Sequence, residues 1–172
     1  MDDANGVKQA LYRFWAWSMQ TTERYSPRTK DRIVKGITKA HVAYLRRRPP
    51  SAGSSMAAPT LLMTVRGRRT GTLRTMPAFY MPDGDRYVIV GSYGGDHRHP
   101  QWYHNLMAAG EAIIEIDGRK QDVSATRASP EERAALWPRL LEMWPSYADY
   151  QARQDSRELP VVIFTPRGAS AT

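Results

Sequence analysis

The chain has 172 residues, 41% hydrophobic and 24% charged, with 12 Gly, 12 Pro, 5 Trp and no Cys. That length suits one domain with a short appendage, and the apolar fraction supplies a core. Without cysteine, disulfides, iron–sulfur clusters, thiolate zinc sites and cysteine nucleophiles are excluded. No apolar run approaches the roughly 20 residues of a spanning helix, and the start Met1-Asp2-Asp3 lacks a basic, apolar leader. The chain therefore reads as soluble and cytoplasmic. Its net charge of +8 is unevenly placed: residues 1–50 carry 11 Lys/Arg against four acids, and residues 51–172 carry 14 against 13. Any anion site beyond the first 50 residues must arise from local clustering.

From about Gly6 to Arg24, residues Val7, Leu11, Phe14, Trp15 and Met19 recur at three- and four-residue spacing and predict a helix. Ser26-Pro27 reads as an N-cap and first-turn proline, opening a second helix from about Pro27 to Leu45. Arg46-Arg47-Arg48 falls at its C-terminal end, where cations complement the helix dipole. Pro49-Pro50 stops that helix, and residues 51–59, small and polar, form a linker.

After the linker the period changes. Thr60 to Arg66, Arg74 to Tyr80, Arg86 to Ser92, Ala112 to Ile116, Gln121 to Ala128 and Val161 to Thr165 are short, β-branched or aromatic, and bounded by turn residues. Asp83-Gly84 and Asp117-Gly118 read as hairpin turns. Pro100 to Ala109 predicts a short helix, and Ser129-Pro130-Glu131-Glu132 caps another that runs towards Trp144. Five or six mostly antiparallel strands with a few helices indicate an α+β barrel-like domain over residues 60–167, followed by a tail at 168–172.

Three stretches carry residue types suited to chemistry. In the first, Arg66-Gly67-Arg68-Arg69-Thr70-Gly71-Thr72-Leu73-Arg74, guanidiniums surround a glycine-bearing turn between two strands. That combination suits a multiply anionic ligand, because arginine binds phosphate and carboxylate bidentately and the turn exposes N–H groups. A solvated hairpin tip has the same composition. The second is Gly91-Ser92-Tyr93-Gly94-Gly95, which lets a flat ring approach the backbone, followed by His97, His99 and His104. Those histidines lack zincin spacing, and only Asp96 is a neighbouring carboxylate, so no metal is expected. The third, Trp144 to Arg153, places Tyr147 and Tyr150 on one helix face, suited to the lip of a pocket or to ordinary packing. No hydrolase arrangement is evident, so an enzyme built this way takes its chemistry from a cofactor.

Order and spacing of these stretches resemble the deazaflavin-dependent nitroreductase family, the split β-barrel reductases that use coenzyme F420. The residues concerned are Thr64 to Gly71, Arg74 with Pro77, Asp83 to Ser92, Gly94-Gly95 and His99 to Leu106. They continue with Glu131-Glu132-Arg133, Pro145-Ser146-Tyr147-Ala148-Asp149-Tyr150-Gln151 and Pro160-Val161-Val162.

The resemblance implies an FMN-binding-like split barrel holding F420 in a groove. Arg68, Arg69, Thr70 and Arg74 would hold its phosphate and polyglutamate tail. Met76, Pro77 and Phe79 would flank the deazaflavin ring, Ser92, Tyr93, Gly94 and Gly95 would contact it, and Trp102 would close one side. Tyr147 and Tyr150 would line the substrate pocket, and the added proton would come from solvent, Ser92 or a tyrosine hydroxyl. FMN fits less well, because the arginine set is large for one phosphate. The implied reaction is hydride transfer to a quinone or nitroaromatic acceptor. Alternatives are reduction of an enone or biosynthetic intermediate, or deazaflavin, flavin or membrane binding without turnover. Tyr93 stands where relatives often carry Lys or Asn, and Arg153 where some carry a further pocket aromatic, which leaves the acceptor open.

The basic residues 1–50 read as a helical pair packed on the barrel with a solvated charged face. The alternative is an arm on the anionic inner face of a membrane, each Lys/Arg near the surface contributing about 1 kcal/mol. Nucleic-acid binding is not expected, since no recognised module accompanies the charge.

Overall fold

The computed structural model describes residues 58–154 and 157–168 and, upstream, residues 36, 38, 39, 42, 43 and 45–47. The first expected helix, much of the second and nearly all of the linker lie outside the described residues. Each described position between 36 and 47 is helical. There Val42 is buried and Arg46 pairs with Glu115 at 3.4 Å, so this stretch lies against the following domain.

Six strands follow: β1 (Thr60–Arg66), β2 (Leu73–Asp83), β3 (Arg86–Val90), β4 (Glu111–Ile116), β5 (Arg119–Arg127) and β6 (Val161–Pro166). Among the described residues from 58 onwards, three α-helices accompany them: α1 (Gln101–Ala109), α2 (Pro130–Met143) and α3 (Ser146–Ala152). The strands close a barrel in the order β1-β2-β3-β6-β5-β4, with every pairing antiparallel and β4 returning to β1. Closure leaves no strand edge exposed. This is the expected α+β barrel with flanking helices.

Several boundaries differ from expectation for local reasons. The third strand ends at Val90 rather than Ser92, because beyond Gly91 the backbone enters a left-handed turn at Tyr93–Gly95. The first hairpin turn is Gly84-Asp85 rather than Asp83-Gly84. Asp83 still pairs in register with Arg86, and Gly84 carries the positive φ of +63°. Asp117 and Gly118 form the other turn as expected, with φ values of +49° and +78° that suit a type I′ hairpin.

Two apolar clusters fill the domain. Inside the barrel, Leu61, Met63, Val65, Ile89, Ile114, Val123 and Phe164 pack together, with Tyr103 and Leu106 of α1 closing one end. Against the outer face, Val88, Val90, Val161 and Ile163 meet Leu136, Leu140, Trp144, Tyr147 and Tyr150 of the α2–α3 region. Strands β3 and β6 are thus covered on both faces. That is why Val88-Ile89-Val90 and Val161-Val162-Ile163-Phe164 read as continuous apolar runs rather than alternating ones. At the start of α2, Ser129 Oγ accepts from the Glu132 N–H at 3.2 Å while Glu132 Oε2 accepts from the Ser129 N–H at 2.9 Å. These reciprocal bonds satisfy two otherwise orphaned donors.

Candidate functional site

The arginine-rich stretch forms the connection between β1 and β2. The Gly67 N–H donates to the Thr72 carbonyl (2.9 Å) and the Gly71 N–H to the Gly67 carbonyl (2.7 Å), giving the turn a fixed shape. Arg66 Nη1 adds a bond to the Gly71 carbonyl at 3.2 Å. Arg66, Arg68, Arg69 and Arg74 are all exposed, as is Thr70. Among the described residues none of the four guanidiniums pairs with a carboxylate. The turn therefore presents concentrated, uncompensated positive charge. It is anchored from beneath by Asn105 of α1, a buried polar side chain whose Oδ1 accepts from the Arg68 N–H at 3.3 Å. Asn105 was not singled out from sequence. The signal was present in a polar residue between Tyr103 and Leu106 on the apolar side of a helix.

The glycine-bearing stretch forms a tight turn at the end of β3. Tyr93, Gly94 and Gly95 take φ values of +50°, +64° and +84°, three left-handed residues in succession. For Tyr93 this conformation costs roughly 1–2 kcal/mol, so the surroundings must hold it there. At Gly95 a Cβ would stand 3.2 Å from Cδ1 of Tyr150, so the missing side chain is what lets the turn lie against that ring. The Gly95 N–H returns to the Ser92 carbonyl (3.0 Å) and the Asp96 N–H to the Tyr93 carbonyl (3.2 Å).

Behind this turn lies Arg157, which sequence reasoning missed. Its Nη1 reaches the Gly91 carbonyl (3.4 Å) and Nδ1 of His99 (2.9 Å), and its Nη2 reaches the carbonyls of Ser92 (3.2 Å) and Asp96 (2.6 Å). Its Nε donates to Gln154 Oε1 (3.3 Å), and Gln154 Nε2 donates to the Gly95 carbonyl (2.8 Å). A guanidinium has no acceptor, so Nδ1 of His99 must accept, which leaves the ring neutral with its proton on Nε2. Burial first, and the neighbouring Arg157 charge second, hold the His99 pKa below its ordinary value. His104 lies edge-on to His99 at 5.8 Å, whereas His97 is exposed. Among the described residues no group of three metal-capable side chains converges.

The third stretch folds as α3. Tyr147 and Tyr150 share a face, with ring centroids 6.4 Å apart, and Tyr147 also stacks on Trp137 at 6.4 Å. Both tyrosines are buried in the cluster that contains Trp144, on which Phe79 of β2 packs at 4.6 Å. Burial pushes the Tyr147 hydroxyl well above the usual tyrosine range.

The expected residues thus fall into two groups rather than one contact set. Phe79, Tyr147, Tyr150 and the Ser92–Gly95 turn converge around the outer cluster, while Met76 of β2 and Trp102 of α1 pack on the barrel interior. Pro77 lies between Met76 and Ala78 on the same half-buried strand. Helix α1 connects the groups. It starts just after His99, at the glycine turn, and reaches the arginine turn through Asn105.

Comparison with known proteins agrees with this fold. The family model described as F420H(2)-dependent quinone reductase matches residues 37–166. The Mycobacterium tuberculosis protein Rv3178 is 37% identical over 118 residues, covering 67% of this chain and 97% of its own. The F420H(2)-dependent quinone reductase Rv1261c of the same species is 40% identical over 114 residues, 64% of this chain and 76% of that protein. The solved structure of an F420-H2 dependent reductase, FDR-A, superposes with a TM-score of 0.57 at 34% identity, over 62% of this chain and 93% of that one. A barrel of this topology and a match across three quarters of the sequence place the chain in the F420H(2)-dependent quinone reductase family.

Proposed function

We propose that this chain binds reduced F420 and directs its hydride to a quinone. The observation that carries this reading is the Gly67–Thr72 turn, in and beside which four exposed arginines have no carboxylate partner among the described residues, braced by buried Asn105. The cofactor fits that donor set: a phosphate followed by glutamates requires fixed positive charge, and the guanidiniums supply it, whereas the N–H groups of Gly67, Arg68, Gly71 and Thr72 are engaged within the fold. When bound, the reduced deazaflavin supplies a hydride that, with one proton, converts a quinone to its hydroquinone.

The chain's own residues bind, orient and exclude water. Arg68, Arg69, Thr70 and Arg74 hold the anionic tail, and Pro77 and Phe79 supply apolar surface for the ring system, backed by Met76 and Trp102, which pack on the barrel interior. Ser92, Tyr93, Gly94 and Gly95 provide the backbone and hydroxyl contacts at the reacting end. Tyr147 and Tyr150 are the tyrosines assigned to the acceptor. Burial raises the pKa of Tyr147, so its hydroxyl keeps its proton within the cluster it shares with Trp137 and Tyr150. The proton comes from solvent, directly or relayed through the hydroxyl of Ser92 or Tyr150.

Nitroaromatic acceptors belong to the same reading as a second substrate class, since an electron-poor ring meets the same apolar surface. Residues 1–50 form an appendage to the barrel domain 60–167 in this reading. The Arg46–Glu115 pair and buried Val42 favour packing on the barrel over an arm laid on an anionic membrane.

Titration with F420 and FMN, followed by oxidation of reduced F420 with menadione or a nitroaromatic, tests the proposal. Arg69→Ala and Arg74→Ala are each expected to weaken F420 binding by about tenfold or more, the loss of a charge-assisted bond. Unchanged affinity in both variants would remove the arginine turn from the binding site. Menadione reduction no faster than in protein-free controls would leave binding without turnover.

A further inference from the structure

We propose that Arg157 is a positioning residue for hydride transfer, fixing the shape of the Gly91–Asp96 turn from behind without itself touching the cofactor. The proposal rests on the reading that this turn meets the hydride carrier.

All five N–H donors of the guanidinium have acceptors. Two on Nη1 serve Gly91 O and His99 Nδ1, two on Nη2 serve Ser92 O and Asp96 O, and the one on Nε serves Gln154 Oε1. Three of these acceptors are carbonyls of a single six-residue stretch. A tie needed only to attach the loop after α3 to the barrel would require one or two such bonds. Saturation of a planar five-donor group specifies the direction of each carbonyl it meets. The turn needs that specification, because Tyr93 would relax out of its left-handed conformation if the flanking Ser92 and Asp96 carbonyls were free to rotate.

The carbonyls of Gly91, Ser92, Gly95 and Asp96 are thus all drawn onto Arg157 and Gln154, which fixes the peptide planes of the turn. The bond to His99 extends the constraint to the start of α1, and Asn105 carries it on to the arginine turn. Arg157 thereby sets the angle between the two places where the cofactor is held. Gln151 in turn fixes the backbone that presents Arg157, its Nε2 donating to the Arg157 carbonyl at 2.9 Å and its Oε1 accepting from the Leu159 N–H at 2.8 Å. Lysine cannot replace the guanidinium, since an ammonium offers three donors and no plane.

The test compares the full chain with Arg157→Lys and Arg157→Gln in two readouts. In the cofactor-free protein, nitrogen NMR of His99 should show a proton on Nε2 alone, and both variants should shift towards mixed tautomers as the Nδ1 donor is lost. With cofactor, the dissociation constant for reduced F420 and the single-turnover rate of its oxidation by menadione are measured separately. Arg157→Lys is expected to lower that rate by about tenfold or more while leaving the dissociation constant within about threefold, because the arginine turn still holds the tail. Arg157→Gln, which loses the charge as well, should be slower still.

A wild-type rate in Arg157→Lys, with the His99 tautomer visibly changed, would overturn the positioning role. So would equal losses in rate and affinity, the signature of a merely weakened fold. If the wild-type chain itself bound no reduced F420, the functional reading would fall and the positioning role with it. That result is distinct from an unaffected variant of an active enzyme.

Discussion

The Oδ1 atom of Asn105 accepts a hydrogen bond from the Arg68 backbone N–H across 3.3 Å, joining a helix that closes the barrel to the turn richest in positive charge. Asn105→Ala should therefore lower stability by about 1 kcal/mol, the net value of an ordinary hydrogen bond, and should also weaken F420 binding. Urea denaturation and cofactor titration on the same sample check both effects. Reduced stability with unchanged affinity would show that the Gly67–Thr72 bonds alone keep the turn in shape.

Gly91 stands where β3 leaves the barrel, with its N–H on the Pro160 carbonyl at 2.9 Å. A Cβ there would lie 2.7 Å from Cγ of Pro160, a ring that cannot rotate aside. Gly91→Ala is expected to cost about 1–3 kcal/mol through forced backbone movement. Because the strain falls beside the Ser92–Asp96 turn, turnover should drop as well. Thermal melting and menadione reduction give the two measurements, and a fully stable variant would refute the clash.

Asp83 binds two arginines at once, Arg139 of α2 and Arg86 across the hairpin, each at 2.6 Å. The hydrogen bond from Arg139, then that from Arg86, hold its carboxyl below the ordinary value of 3.8. A carboxylate depressed in the folded state stabilises above its unfolded pKa and loses that contribution as pH falls through the folded one. Stability attributable to Asp83 should therefore be intact at neutral pH and lost below about pH 4. In Asp83→Asn the unfolding free energy should be lower at pH 7 and flatter through the acid range, as denaturant titration at several pH values would show.

Ser129 begins α2 with both halves of its reciprocal capping arrangement formed. Ser129→Ala should cost about 1 kcal/mol and fray the first turn of the helix, with no direct effect on cofactor affinity. Hydrogen exchange at Glu131, Glu132 and Arg133 reads the fraying, and unchanged exchange would mean that Pro130 and packing suffice to start the helix.

The places where sequence reading succeeded share a physical character: they depend on neighbours along the chain. Strand β1 runs over its expected residues from Thr60 to Arg66, the Asp117-Gly118 turn needs only two residues that tolerate positive φ, and Ser129 with Glu132 caps its helix within four positions. The arginine turn was legible for the same reason, because Gly67, Gly71 and the guanidiniums around them lie within nine residues.

What the chain order could not reveal were partners brought from far away. Asp83 pairs with Arg86 at the end of β2, and its carboxylate is held by Arg139, 56 residues later. Arg157 meets the carbonyls of Gly91, Ser92 and Asp96 across more than 60 residues, and Asn105 meets Arg68 across 37. Periodicity and turn chemistry, being local, determined five or six mostly antiparallel strands in a barrel-like domain, with a cationic turn and a glycine turn. Only closure of the barrel and the docking of α1 and α3 upon it decided how those turns are braced. Bracing is a matter of carbonyl direction and burial, and neither has a value until the distant segments are in contact.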